Sequence, residues 1–180
     1  LFTIIDCESA QLDEKLNKLI GYLGRRYEFE TRQGKKSGVQ LWLGKKDFKN
    51  ALEVLKNEAY ADPAEAIRIF LDHIYSPYVK KSNAENWIDG GPMNGRLIYQ
   101  ISKVYPKSRF IHVIRNPVDV AKSFSRLGWE DGSFYKAAQF WCSQVGITRA
   151  LGEHYAQERY IEIDFENLNE NPESNMRKIS

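Results

Sequence analysis

The 180-residue chain reads as an α/β protein, a three-layer fold with a parallel sheet flanked by helices, and three observations predict it. Arg109-Phe-Ile-His-Val-Ile114 is almost continuously apolar, as a strand buried on both faces should be. A helix start, Asn116-Pro117, follows it at once. A second strand, Tyr160 to Phe165, comes only after a long helical stretch from about Ser133 to Gln157. Crossovers of that length join parallel strands.

The first half is more helical. Leu12, Leu16, Leu19, Ile20 and Leu23 recur at the helical period between Glu8 and Arg26. Alternation in Tyr27–Thr31 and again in Val39–Leu43, around Gln33-Gly-Lys-Lys-Ser-Gly38, predicts a hairpin with a basic tip. Asp47 is placed to cap a helix running to about Tyr60, with Phe48, Leu52 and Leu55 on one face. Asp62-Pro63-Ala64-Glu65 is a stronger start, joining an N-cap, a proline at the first helical position and an acid in the first turn. Ile67, Phe70, Leu71 and Ile74 give that helix its buried face, and Pro77 is expected to end it. Asn86-Trp-Ile-Asp89 reads as a short strand broken by Gly90-Gly91-Pro92. Asn94 opens a helix ending at Pro106, and Asn171-Pro172-Glu173 starts the last one.

Composition narrows the class. A formal charge of +2, from 26 basic against 24 acidic residues, gives no general pull toward nucleic acid. Hydrophobic content of 42% with 28% charged residues excludes a disordered tail, and there is enough chain for one domain with a real core. No apolar run is long enough for a membrane span in this piece. Cys7 and Cys142 cannot build a disulfide framework, so a reducing, cytoplasmic setting is favoured. The chain opens at Leu1 in the apolar run Leu-Phe-Thr-Ile-Ile and stops inside a helical pattern at Ser180. It reads as an internal piece of a longer protein, incomplete at both ends, so a Golgi location stays open.

The chemistry concentrates at Arg115. A buried strand delivers it to the carboxyl edge of the sheet, where open α/β folds bind their ligands. Asn116 as cap and Pro117 at the first helical position bring backbone N–H groups and a positive helix end beside it. Ser123 lies two helical turns along, an added donor. A fixed guanidinium with a hydroxyl beside it suits phosphate or sulfate, because the fork binds two oxygens at once. The competing reading is a structural ion pair with Asp119.

The string Arg115-Asn-Pro-Val-Asp-Val-Ala-Lys-Ser123 after a buried strand resembles the 3′-phosphate-binding element of sulfotransferases that use 3′-phosphoadenosine 5′-phosphosulfate (PAPS). Trp87-Ile-Asp-Gly-Gly-Pro with Tyr105-Pro-Lys-Ser-Arg-Phe upstream, and Tyr160-Ile-Glu-Ile-Asp-Phe-Glu-Asn-Leu with Asn171-Pro172 downstream, resemble the neighbouring family segments. The likeness covers about residues 86–179. It implies a P-loop NTPase-like sulfotransferase fold over a single domain, 1–180, with 86–179 as the cofactor-binding core and 1–80 as the acceptor and lid side. It implies that Arg115 and Ser123 hold the 3′-phosphate and that Phe165, where many relatives have Tyr, packs on the adenine. The reaction implied is sulfuryl transfer from PAPS to an acceptor hydroxyl or amine, releasing adenosine 3′,5′-bisphosphate, with no metal.

Two departures stand out. The family's Ser-Gly-Thr-Thr-type 5′-phosphosulfate loop is not found; Lys36-Ser37-Gly38 is the sole lookalike, so the loop is expected before Leu1. Gly90-Gly91 stands where relatives often carry a Lys or His, and Asp89 reads as a turn residue, so no catalytic side chain is assigned. His112 reads as a core histidine, both cysteines as buried thiols, and Phe140 and Trp141 as packing groups. His73 and His154 lack a second ligand at metal spacing.

Overall fold

A computed structural model describes residues 1–27, 34, 36, 38–91 and 93–179, apart from the side chains of Trp129 and Glu130. The chain forms two compact units, Leu1–Asp89 and Gly90–Ser180.

The first unit is helical. Helices α1 (Ser9–Tyr27), α2 (Lys45–Glu58) and α3 (Pro63–Lys81) bury Leu16, Leu55, Ile67 and Phe70 almost completely, together with Ile4 from the opening 3-10 turn. Burying each such side chain contributes roughly 1.5–3 kcal/mol. Phe48 sits between Tyr27 and Phe70, at ring separations of 4.7 and 6.2 Å, and Tyr27 donates to the Leu43 carbonyl at 2.8 Å. Asp62 caps α3 as expected, accepting from the N–H groups of Ala64 and Glu65.

Four local expectations are corrected here. Tyr27 ends α1, and Gly38–Leu41 is a 3-10 turn, so the second arm of the hairpin does not form; residues 28–33, 35 and 37, among them Gln33, Lys35 and Ser37 of the basic tip, lie outside the described residues. α2 starts at Lys45 behind Gly44, leaving Asp47 in the first turn, where its charge complements the helix dipole without capping. Pro77 stays inside α3, which runs on to Lys81. Proline removes one N–H donor from that turn, and the Trp42 indole donates to the nearby Ile74 carbonyl at 3.0 Å. Residues 86–89 are not a strand: the Trp87 ring stacks on Tyr75 at 4.6 Å, and Ile88 is left 89% exposed.

The second unit carries the sheet. After a 3-10 turn, Asn94–Leu97, α4 (Ile98–Val104) leads into β1 (Phe110–Ile114), α5 (Pro117–Arg126), α6 (Phe134–Leu151), β2 (Tyr160–Asp164), α7 (Phe165–Glu170) and α8 (Pro172–Ile179). β1 and β2 pair in parallel, from Phe110 opposite Tyr160 to Ile114 opposite Asp164, and they are the two strands of the sheet among the described residues. Ala121 and Ala137, both fully buried, let α5 and α6 pack closely as the crossover. β1 is not buried on both faces: Ile111 and Val113 are 41% and 46% exposed, while Ile163, beside Val113 on β2, is buried. Asn175 is buried, and its amide donates to the side chain and carbonyl of Asn167 and to the carbonyl of Asn171, which ties α8 back onto α7.

Candidate functional site

The parallel register fixes the site. Because Ile114 stands opposite Asp164, the residues that follow, Arg115 and Phe165, emerge side by side at the carboxyl edge of the two strands. The Arg115 guanidinium lies over the Phe165 ring, 5.1 Å from its centroid, a cation–π contact that holds the charged fork in place. Arg115 is exposed and Phe165 half-buried. Among the described residues Arg115 has no ion pair, so Asp119 is not its partner here.

The strand-to-helix junction is built as the residues suggest, with one change. The Asn116 side chain caps α5 by accepting from Val118 N–H at 2.9 Å, and Pro117 takes the first helical position. The N–H of Asn116, expected to be free for an anion, donates instead to Glu166 Oε1 at 3.1 Å. Two amides of the junction are therefore already engaged, and a carboxylate stands beside the guanidinium's strand. Ser123 is exposed on α5, about 9 Å of helix rise beyond Pro117. It shares no hydrogen bond with Arg115 or Phe165 among the described residues. The structure thus brings Arg115 and Phe165 together and places Ser123 further along α5.

A polar network on the sheet went unread in the sequence. His112, Tyr160 and Glu162 share one face of the strand pair, and Arg149 reaches them from α6. The Tyr160 hydroxyl donates to Glu162 Oε1 at 2.6 Å, so its oxygen accepts from His112 Nδ1–H at 2.7 Å. Arg149 grips both oxygens of Glu162, at 2.8 to 3.1 Å. The Arg149 hydrogen bonds hold the Glu162 carboxyl down to about 2 against its burial. Burial, then the bond to Glu162, pushes the Tyr160 phenol well above its ordinary value, so it stays protonated. His112 is thus part of a half-buried polar cluster rather than a plain core residue. The signal was present as a His on one strand and a Tyr-x-Glu on another, but pairing them needs the register.

That cluster makes stability depend on pH. Burial lowers the His112 pKa below its ordinary 6.5, with Glu162 opposing. Above 6.5 the ring is neutral whether folded or not, and the network is at full strength. As pH falls from there toward the lowered folded value, protons bind the unfolded chain first, and stability is lost. The Glu162 contribution is lost lower, between 4.5 and about 2. We expect the thermal midpoint to fall between about pH 7 and about pH 5, and His112→Asn, whose amide keeps a donor in place of Nδ1–H, to flatten that slope. An unchanged slope in the variant would show that His112 does not carry the dependence.

Cys142 is exposed and Cys7 half-buried, so neither is a buried thiol, since the helix and turn that carry them leave them at the surface. Phe140 packs on Phe124 at 5.8 Å between rings. His73 Nδ1 lies 2.8 Å from the Ile69 carbonyl one turn back. Among the described residues no cluster of three or more His, Cys, Asp or Glu could hold a metal, and no helix is long and apolar enough to cross a membrane.

No curated protein and no solved structure matches the sequence. A family model described as "Sulfotransferase family" matches residues 11–180, nearly the whole chain and both units. The chain belongs to the sulfotransferase family.

Proposed function

We propose that the chain transfers a sulfuryl group from PAPS to an acceptor hydroxyl or amine, with Arg115 and Ser123 holding the donor's 3′-phosphate and Phe165 beside its adenine. The observation that supports this reading best is the Arg115 fork, exposed and resting on Phe165, within an Arg-Asn-Pro-x-Asp-Val-x-x-Ser string of a sulfotransferase-family chain. A guanidinium in that state fits a phosphate: it is oriented, it is open to solvent, and two of its N–H groups match two phosphoryl oxygens. Arg115 lies over one face of the Phe165 ring, so a base would stack on the other. Glu166 opposes an anion at the same place, so the site favours a ligand that displaces its bond to Asn116. PAPS supplies an activated sulfuryl group whose bond to the 5′-phosphate breaks as the acceptor oxygen or nitrogen bonds to sulfur. Arg115 and Ser123 act on the far end of that donor, setting its choice and position. The three-layer, P-loop-like sheet belongs to this proposal, as does an acceptor side within residues 1–80.

A second reading, a nucleotide-binding module of the same fold without turnover, is favoured by Gly90. A Cβ built there would meet nothing within 4 Å, and neither Gly90 nor Gly91 offers an acid or base. The two readings share the site and differ in turnover alone.

The site itself is tested by proton NMR. Titrating adenosine 3′,5′-bisphosphate into protein with labelled phenylalanine should shift the Phe165 ring signals saturably, with ring-current shifts from the adenine. Saturable binding that leaves Phe165 unmoved while other phenylalanines respond would place the ligand elsewhere.

A further inference from the structure

Glu166 puts a negative charge at the very junction that Arg115 prepares for an anion. β1 and β2 stay in register as far as Ile114 opposite Asp164, and β2 then turns into α7 at Phe165. The ladder runs out there. The N–H of Asn116 donates instead to Glu166 Oε1 at 3.1 Å, fifty residues away in the chain. Asn116 also caps α5, whose dipole favours negative charge at that end. The half-buried Glu166 carboxylate, in the first turn of α7, is thus a resident anion.

Its partner distinguishes this carboxylate from a structural bridge. The guanidinium of Arg115, the residue just before Asn116, has no ion pair among the described residues and rests on Phe165. Glu166 engages the backbone amide and leaves that fork open. Asp164, the neighbouring acid, caps α7 by accepting from Asn167 N–H at 2.7 Å. A phosphoryl group gripped by the fork therefore faces the Glu166 charge, and it reaches the Asn116 amide only by displacing that carboxylate. The repulsion costs a phosphoryl group about the same whatever else the ligand carries. Free phosphate or sulfate has nothing to offset it. A phosphate ester with a flat ring adds a stack on Phe165 and stays bound.

We propose that Glu166 sets the affinity threshold of the Arg115 site, keeping free inorganic phosphate and sulfate off it and leaving it to ligands with a further anchor. The proposal rests on Arg115 being a phosphate's ligand, as read above, and not on the identity of the nucleotide. Glu166 acts through the Asn116 amide and through its charge, as a specificity-determining residue.

The test titrates the full chain and its Glu166→Gln, Glu166→Ala and Glu170→Gln variants at one ionic strength. Inorganic phosphate is followed by NMR at the Asn116 amide, and adenosine 3′,5′-bisphosphate by calorimetry. Glutamine keeps an oxygen for the Asn116 N–H and removes the charge; alanine removes both. Each should bind phosphate about five- to tenfold more tightly than wild type, and the bisphosphate by a similar factor. Glu170→Gln removes the same charge one turn further along α7, where the side chain is exposed, and should change neither affinity. A brace that merely held the junction together would act in the opposite direction, with alanine binding more weakly than wild type. Thermal unfolding confirms that each variant is folded, and if alanine is not, glutamine alone decides. Four results overturn the proposal: unchanged or weaker phosphate binding in Glu166→Gln, no phosphate binding in any variant, a folded alanine variant weaker than wild type, or an equal gain in Glu170→Gln. A gain for phosphate, with the bisphosphate bound no better than phosphate, upholds the role of Glu166 and removes the nucleotide reading. Bisphosphate binding that Arg115→Ala abolishes and Glu166→Gln leaves unchanged does the reverse.

Discussion

Replacing Arg115 by alanine should weaken adenosine 3′,5′-bisphosphate binding by one to two orders of magnitude while leaving the fold nearly as stable as before. A bidentate guanidinium–phosphate contact contributes about 1.5–3 kcal/mol, which sets the size of the loss. The stability cost is smaller because Arg115 is exposed and, among the described residues, has no ion pair; what it gives up is the contact with Phe165. An exposed cation–π pair contributes about 0.5–1 kcal/mol. Arg115→Lys should fall between wild type and alanine, since a point charge remains but the two-oxygen fork is lost. Calorimetric titration measures the affinities, and thermal unfolding measures the stability of the same samples. If both variants bind as tightly as wild type, Arg115 is not the phosphate's ligand.

The largest expected effect on stability comes from a residue that has no side chain. Gly152, at the end of α6, is buried, and a Cβ added there would lie well inside the contact distance of the Tyr160 ring. That ring cannot easily move away, because its hydroxyl is bonded to both His112 and Glu162. The Gly152 backbone is helical, φ −62°, so alanine adds no backbone strain and the penalty is steric. Gly152→Ala should destabilise the protein by about 3 kcal/mol, the upper part of the range for overpacking a core. For a chain of this length that lowers the melting temperature by roughly 6–12 °C. Gly146→Ala, on the same helix, is the control. Nothing lies within 4 Å of its Cβ position, so alanine there should stabilise by about 0.5–1 kcal/mol through helix propensity. Equal effects of the two substitutions would show that the Tyr160 contact does not constrain the helix end.

Elements carried by local signals were legible. The Asp62 cap with Pro63, the Asn116 cap with Pro117, Ser133 before α6 and Pro172 opening α8 all stand where residue chemistry puts them. The two strands of the second unit were also readable, as was their parallel pairing, because a crossover through α5 and α6 leaves no short antiparallel return. Features that depend on distant partners were not. Residues 86–89 have a strand's composition, yet Trp87 finds Tyr75 as its neighbour and the segment follows α3. Val39–Leu43 alternates, yet its first residues close into a 3-10 turn and Leu43 accepts from Tyr27. At the candidate site, Arg115 and Phe165 were both named from the sequence, while their contact and the Glu166 bond to Asn116 join residues fifty apart. The His112 cluster is of the same kind, since three of its members become neighbours only through the register of two strands.

The central claim, that Arg115 recognises a 3′-phosphate, is tested most directly by comparing two ligands that differ in that group alone. Adenosine 3′,5′-bisphosphate and adenosine 5′-phosphate are titrated against wild type and Arg115→Ala under identical salt. The bisphosphate should bind wild type at least about tenfold more tightly than the monophosphate, and Arg115→Ala should erase most of that difference. Equal weak binding of the two ligands, the same in wild type and variant, would contradict it.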